Sequence, residues 1–336
     1  MSDEMTGRTT SYRRFCVTRI GQGLVVLALS YLLVFLLLFF LPGDPIRARL
    51  ADPDVTYSPE QVNQLLAYYG MDQPIWAQLG RAVSRLFQGE LGYSLTTVKP
   101  VRQTIADAMP STLQLATLTF AFAVGLAALT SAVAVASPWR PVRRVATGIP
   151  AGLLSVPTFV IGLGLLQVFS YRLGWFSTLQ ATGWSGTIPP AVVLALPISA
   201  PFARVLIENA REVEGEAYVT FAKSKGLTGT RLLLAHVARP SALPGVTMLG
   251  LAVAELITGS VIVEAVFNRH GLGSVISTAV SGQDSPVLLG VILLAAGAIV
   301  VVNLAVDLLY PLLDPRLRGR ATVDDLPGQQ GVQVTA

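Results

Sequence analysis

Side chains that could carry out chemistry are sparse in this sequence. It has two histidines, His236 and His270, and a single cysteine, Cys16, so neither an internal disulfide nor a thiolate metal cage is possible. It also has no Ser/His/Asp grouping, no HExxH, no GxxxxGK[ST] phosphate loop and no dinucleotide fingerprint. We therefore predict no catalytic residues, no metal site, no cofactor and no enzymatic activity of its own. Any energy-consuming activity would need a partner or an ion gradient.

Residues 208–244 form a polar segment between two apolar runs that are each long enough to cross a bilayer. The order of residues predicts a helix over 212–225, with acidic residues first, then Lys223 and Lys225, and then Gly226. This order complements the helix dipole, and glycine favours the position after a helix. Thr228 is predicted to cap a second helix that ends at Pro240 or Pro244. The first helix would carry an exposed apolar face, which indicates docking. That face comprises Val213, Ala217, Tyr218, Phe221 and Ala222.

Three polar side chains fall inside apolar stretches, where ionisable groups are costly and often functional. We include Glu255, Asn303 and Asp307 as candidate pathway residues. Glu255 has two open interpretations: it lines a path and attracts an amino terminus or a metal cation, or it pairs across a subunit interface. For Asp307, near the end of its stretch, a structural role is favoured. Glu264 is predicted to fix the end of the fifth stretch.

The elements that would position these residues are membrane-spanning helices. The chain is 52% hydrophobic and 13% charged, whereas a soluble domain carries about 25% charged residues. Six apolar stretches predict an all-α polytopic membrane protein, and the first is too long for a cleaved signal peptide. Proline and glycine predict that the third stretch is kinked. The stretches are 20–41, 112–136, 146–172, 188–207, 245–267 and 286–313.

The short loops predict the orientation. Segments rich in Arg or Lys fall on one side if six spans alternate, and this side is then cytoplasmic. The chain is thereby divided into a cytoplasmic segment 1–19, a first transmembrane helix 20–41, an extracytoplasmic helical loop 42–111, a five-helix core 112–313 containing the cytoplasmic loop 208–244, and a cytoplasmic tail 314–336. Within the outer loop, Ser58 and Pro59 begin one predicted helix. A second runs from Pro74 to near Gly89. No basic patch is interleaved with aromatics, so we expect no nucleic-acid partner.

Several motifs, in this order, resemble the inner-membrane permease subunits of ABC importers, specifically the dipeptide/oligopeptide/nickel family. The loop motif extends from Glu216 to Leu227, and it has Thr220, Phe221 and Ala222 where the general EAA motif has Glu-Ala-Ala. The resemblance covers roughly residues 15–318. The other motifs lie at 40–45, 71–74, 89–94, 109–116, 259–267, 271–273, 306–310 and 313–318.

The resemblance implies a type I permease fold with six transmembrane helices in a bacterial or archaeal cytoplasmic membrane. It implies a second homologous permease subunit, two cytoplasmic ATP-binding subunits, an extracytoplasmic substrate-binding protein and peptide import. Loop 208–244 would supply a coupling helix that docks on an ATPase. The implied coupling residues are Glu216, Ala217, Tyr218, Phe221, Ala222, Lys223, Lys225, Gly226 and Leu227.

Other interpretations remain open. Import of nickel or a metal chelate is the main alternative within the same family. An ion-coupled secondary transporter would need interrupted helices at matching positions of two halves, whereas the proline-rich stretches here are adjacent. An intramembrane hydrolase would need a nucleophile and a base within the spans, and we find no such pair.

Overall fold

The computed structural model describes residues 2–39, 60, 64, 68, 69, 73–176, 186–227, 229–232 and 236–313. This part of the chain is almost entirely helical, and its only bridge is an isolated one between Tyr93 and Pro100. The prediction of an all-α fold is therefore confirmed. In chain order the helices are α1 (Ser2–Phe39), α2 (Ile75–Phe87), α3 (Val101–Ala136), α4 (Arg140–Leu154), α5 (Thr158–Leu165) with a π-helix (Leu166–Arg172), α6 (Ile188–Glu214), α7 (Ala217–Ser224), α8 (Gly229–Leu232), α9 (Ala238–Val266), α10 (Leu272–Ser281) and α11 (Ser285–Leu313).

Four described helices are long and apolar enough to cross a membrane: α1, α3, α6 and α11. The pair formed by α4 and the α5–π unit makes a fifth if it counts as one broken span. Helix α9 has 29 residues, which at ~1.5 Å per residue exceeds the ~30 Å hydrocarbon core. Counting α9 as the sixth span gives the predicted number, and this count stays a prediction.

The sequence predicts one kinked helix over the third apolar stretch, 146–172. The structure instead has two helical units there, α4 and the α5–π unit. Helix α4 begins earlier, at Arg140, and the chain turns by 102° between α4 and the α5–π unit. The turn falls at Ser155–Pro157, where Pro157 caps α5 with an extended backbone. A proline disfavours helical geometry in the residue before it, which explains a break at this point.

Helix α6 is at the centre of the molecule. In its apolar part 67% of the residues are buried, against none in α1. The main core packs α6 against α3 and α9, with Leu194 and Ile198 of α6 almost fully buried among residues such as Leu115 and Val263. Helix α1 packs antiparallel on α11, where Gly23 lies against Val300. We call the membrane boundary at which α1 ends and α11 begins the distal boundary; α7 lies at the opposite one.

The predicted helices of segment 208–244 need correction. The helix predicted over 212–225 is two helices, because α6 continues to Glu214 and α7 begins at Ala217. Ile207 and Ala210 are buried and Val213 is half-buried, so burial along one face extends α6 past the point that charge order suggested. The predicted end of the second helix at Pro240 or Pro244 is also wrong, because α9 continues through both. Pro240 lies in the first turn, where a missing N–H is tolerated.

The segment 42–111 agrees with its prediction where the structure describes it. Helix α2 begins after Pro74, and Gly89 follows it with φ of 77°. Ser58 and Pro59, predicted to begin the preceding helix, and Thr228, predicted to cap another, lie outside the described residues.

Candidate functional site

Helix α7 has one face anchored in the protein. Val219 is fully buried and Ala222 is 4% exposed. They pack with Ala210 of α6 and with Val237, which immediately precedes α9, and Val135 near the end of α3 borders the same cluster. The inner face of α7 therefore belongs to a cluster that also contains residues of α3 and α6 and the residue before α9.

The C-terminus of α7 is closed by a Schellman motif. The backbone N–H of Leu227 donates to the carbonyl of Ala222 (3.2 Å), and that of Gly226 donates to the carbonyl of Lys223 (3.0 Å). Gly226 has φ of 85°, a left-handed conformation that favours glycine. Leu227 completes the motif by packing against the cluster beneath α7. The sequence-based prediction of Gly226 as the helix stop is thus confirmed.

The opposite face of α7 is uncovered. Phe221 is 61% exposed and Tyr218 is 45% exposed. The Nζ of Lys225 lies 4.6 Å from the centre of the Phe221 ring, a cation–π arrangement. The Tyr218 hydroxyl donates to the carbonyl of His236 (3.2 Å), which fixes the ring beside α9. The result is an aromatic and cationic surface on a short, firmly seated helix.

The predicted coupling residues therefore divide between two faces. Ala222 faces inward and Leu227 is half-buried, so both belong to the anchored side. Glu216 is the exposed N-cap residue, and its side chain makes no capping hydrogen bond. The exposed members are Glu216, Ala217, Tyr218, Phe221, Lys223, Lys225 and Gly226.

The three candidate pathway residues do not form one cluster, because Glu255 is on α9 whereas Asn303 and Asp307 lie one turn apart on α11. Asn303 on α11 lies against Gly250 of α9, leaving no room for a Cβ there. Glu255 follows Gly250 by five residues, about 140° further round the helix, and so points away from that contact. Asp307 pairs with Arg19 of α1 at 3.4 Å. Glu255 itself is exposed, on a stripe of α9 shared with Leu251 and Ile262.

A buried carboxylate joins several helices at the distal boundary. Glu264 is fully buried near the end of α9 and accepts hydrogen bonds from the Thr112 hydroxyl (2.9 Å) and the Ser274 backbone N–H (3.1 Å). Arg269 donates to the Thr187 hydroxyl (3.0 Å) and the Ser111 hydroxyl (3.1 Å). Burial lowers the pKa of Arg269 from its ordinary value, and the Glu264 carboxylate opposes this. The guanidinium stays charged, because arginine is not deprotonated in proteins. The network links α3, α9, α10 and the residue preceding α6.

Asp284 is a second buried carboxylate, and it was not among the residues predicted from the sequence. It accepts from the Ser94 hydroxyl (2.5 Å), from the Thr96 hydroxyl (2.9 Å) and from the backbone N–H groups of Leu95 and Thr96 (both 3.1 Å). It thereby fixes the loop after α2 to the start of α11. A signal was present, since Asp284 directly precedes Ser285-Pro286, a typical helix start.

Comparison with known proteins identifies the family. Residues 126–319 match the family described as binding-protein-dependent transport system inner membrane component, and residues 12–116 match the N-terminal domain of such membrane components. The chain belongs to this family of ABC importer permeases.

Curated relatives of the permease cover most of its length. A protein of Escherichia coli O6:H1 named glutathione transport system permease protein GsiC is 37% identical over 289 residues, which are 85% of this chain and 92% of the relative. A protein of the same name from Shigella flexneri serotype 5b is 36% identical over 289 residues, again 85% of this chain and 92% of the relative. Such homologues are permease subunits of membrane importers and not enzymes, as the sequence predicted.

Proposed function

We propose that this permease forms half of a transmembrane path for small peptides, with a second homologous permease subunit as the other half. Two cytoplasmic ATP-binding subunits would drive it and an extracytoplasmic binding protein would deliver the substrate. The observation that carries this proposal is the two-sided surface of α7, anchored on one face and exposing aromatic and cationic residues on the other.

The anchoring of α7 suits it to transmit movement. Two residues separate it from the end of α6, and its buried Val219 packs in the cluster that holds Val237 before α9. Because packed interiors resist compression, a displacement of α7 is passed to these helices rather than absorbed. Helices α6 and α9 also pack on each other through the core. An ATPase bound to the outer face of α7 would therefore move spans of the permease.

The exposed stripe on α9 supports a path between two subunits. Glu255 lies on it with Leu251, which is 63% exposed, and Ile262, which is 44% exposed. A stripe of this kind on a membrane helix suits packing against a second subunit, and a carboxylate there is costly in lipid. Peptide as substrate is supported by the relatives named for transport of glutathione, a tripeptide with a free amino group.

The proposed orientation places α7 and both termini in the cytoplasm and the distal boundary outside. Support comes from Arg and Lys residues that lie between the apolar stretches, including Arg140, Arg143 and Arg144 in the first turns of α4. Cys16, the single cysteine, is a ready reporter. A membrane-impermeant thiol reagent should label it in inverted vesicles and spare it in intact cells, and labelling in intact cells would reverse the orientation.

Coupling is tested in the complete transporter reconstituted with its partner subunits. We expect Phe221→Ala to reduce ATP-dependent uptake and binding of the ATPase while leaving the fold unchanged, because Phe221 is largely exposed. The matched control is Tyr171→Ala, an equally simple truncation of a ring that is 75% exposed outside α7. If both variants bind the ATPase and transport like the wild type, α7 is not the coupling surface.

The substrate is tested separately by uptake of labelled glutathione, a dipeptide, a longer peptide and Ni²⁺ by the same reconstituted complex. Peptide uptake that requires ATP is the expected result. Ni²⁺ uptake without uptake of any peptide would replace the peptide proposal, and uptake in the absence of the ATPase would contradict the importer mechanism.

A further inference from the structure

A cavity of about 300 Å³ lies at the distal boundary between α1, α2 and α11. This volume is at the lower end of the roughly 300–1,000 Å³ typical of small-molecule sites. The cavity is at the opposite end of the spans from α7, and none of the candidate pathway residues lines it. It therefore belongs to neither the coupling surface nor the proposed path.

The part of the cavity within the membrane is apolar. Phe35 and Leu38 of α1 face Leu289 and Leu293 of α11. These residues occupy the distal ends of two antiparallel spans, and α1 has no buried residue in its apolar part, so its other faces are open to lipid. An apolar slot between two spans, one of which borders lipid, is accessible to an acyl chain.

The roof of the cavity is polar and cationic. Helix α2 lines it with Gln78, Arg81, Ala82, Arg85 and Leu86, a spacing that places all five on one helical face. Arg81 donates to the Gln73 side chain, and the guanidinium of Arg85 lies 3.6 Å above the centre of the Tyr68 ring. Among the described residues, neither arginine is within salt-bridge distance of a carboxylate. The lining also contains Glu90, so its charged side chains leave one net positive charge.

Tyr69 joins the chain before α2 to the loop after α2. Its hydroxyl donates to the carbonyl of Tyr93 (2.6 Å) and accepts from the Tyr93 N–H (2.7 Å). Burial raises the pKa of Tyr69 above its ordinary value, so it stays protonated and keeps donating. A Cβ at Gly92 would lie 2.6 Å from the same oxygen, which shows how closely the loop approaches. Tyr69 and the loop after α2 are thus held together beside the cavity.

We propose that this cavity binds a membrane glycerophospholipid. The phosphate is held by Arg81 and Arg85, whose planar guanidinium groups suit phosphate oxygens. One acyl chain lies along Phe35, Leu38, Leu289 and Leu293, and the rest of the lipid lies in the bilayer. Tyr68, whose ring lies beneath the Arg85 guanidinium, lines the polar end of the same cavity, and aromatic side chains are favoured at membrane interfaces. The lipid fills the gap between α1 and α11 at their distal ends.

The first test measures lipid retained by the purified complete transporter, using native mass spectrometry after exchange into phosphatidylglycerol-containing nanodiscs and extraction in mild detergent. The variant Arg81→Gln/Arg85→Gln should retain about tenfold less phosphatidylglycerol, because charged hydrogen bonds to the phosphate are lost. The control, Lys99→Gln/Arg102→Gln, removes two positive charges close in the sequence to α2 but outside the cavity. Equal retention in the two variants would overturn the proposal.

The second test uses the unaltered protein, so it does not depend on a variant folding. A phosphatidylglycerol with a diazirine in its acyl chain should crosslink to Phe35, Leu38, Leu289 or Leu293. Excess unlabelled phosphatidylglycerol should abolish the crosslink, whereas inorganic phosphate or a tripeptide should not. Crosslinks confined to other residues would contradict a lipid in this cavity. Displacement by phosphate alone or by the tripeptide would show a different ligand.

Discussion

Gly226 is constrained by its backbone and not by its neighbours. Among the described residues, no heavy atom beyond its chain neighbours lies within 4 Å of the position a Cβ would take, yet its φ is 85°. A side chain would therefore fit in space and still strain the chain. The same residue supplies an N–H to the Schellman motif that closes α7, so this strain would act directly on the geometry of the proposed coupling helix.

Replacement of Gly226 by a β-branched residue should weaken coupling. Gly226→Val costs about 1–2 kcal/mol in the left-handed conformation, so ATP-dependent uptake should fall by roughly 5- to 30-fold. Gly226→Asn should stay close to wild type, because asparagine tolerates this conformation. Gly152→Val is the control: Gly152 also has open space but is helical. Similar uptake by Gly226→Val and Gly226→Asn would remove the backbone explanation.

Glu255 carries the clearest prediction about the path. Glu255→Gln removes the charge and keeps the shape, so uptake of a peptide with a free amino terminus should fall while assembly with the partner subunits is unchanged. Uptake and co-purification of the subunits are the two measurements. Unchanged transport of every candidate substrate would show that the carboxylate does not face the path.

The helices differ in how well the sequence predicted them. Helix α2 and the stop at Gly226 followed from local signals, a proline at the start and a glycine at the end. The join between α6 and α7 did not, because burial of Ile207 and Ala210 against other helices outweighed the order of charges. The 102° turn before α5 was predicted only as a kink, since proline marks a break but not its angle.

The contact between α1 and α11 gives a prediction about two elements. Arg19 and Asp307 are partly exposed and 3.4 Å apart, so their pairing should contribute roughly 0.2–1 kcal/mol. Asp307→Arg should lower the melting temperature of the purified permease, and the double variant Arg19→Asp/Asp307→Arg should recover part of the loss. The single variant Arg19→Asp completes this double-mutant cycle. Additive losses in the double variant would show that the two side chains do not interact.

For the molecule as a whole, composition and motif order were sufficient to predict a membrane protein and its family. The sequence also placed Glu264 at the exit of its span. It could not show that Thr112 and Ser274, far apart in the chain, donate to that carboxylate, because such pairing depends on tertiary packing. The buried contacts of Asp284 were not predicted for the same reason, because its partners Ser94 and Thr96 precede it by about 190 residues.

Loss of the Glu264 carboxylate should destabilise the fold. Glu264→Leu leaves the Thr112 hydroxyl and the Ser274 and Gly273 N–H groups without an acceptor, at about 1–3 kcal/mol for each buried group. We expect a clearly lower melting temperature for the purified permease. Glu255→Leu, at an exposed position of the same helix, should leave it unchanged. An equal effect of the two variants would mean that the network adds no stability.

The buried network around Glu264 and Arg269 also restricts which surfaces can separate during a transport cycle. It ties the distal ends of α3, α9 and α10 to the residue before α6, so these helices cannot splay apart without exposing charges to lipid. In the proposed pair of permease subunits, this subunit would present a fixed wall, and opening towards the distal side would occur along the seam between the two. The aperture would then be a property of the assembled pair and not of a single chain.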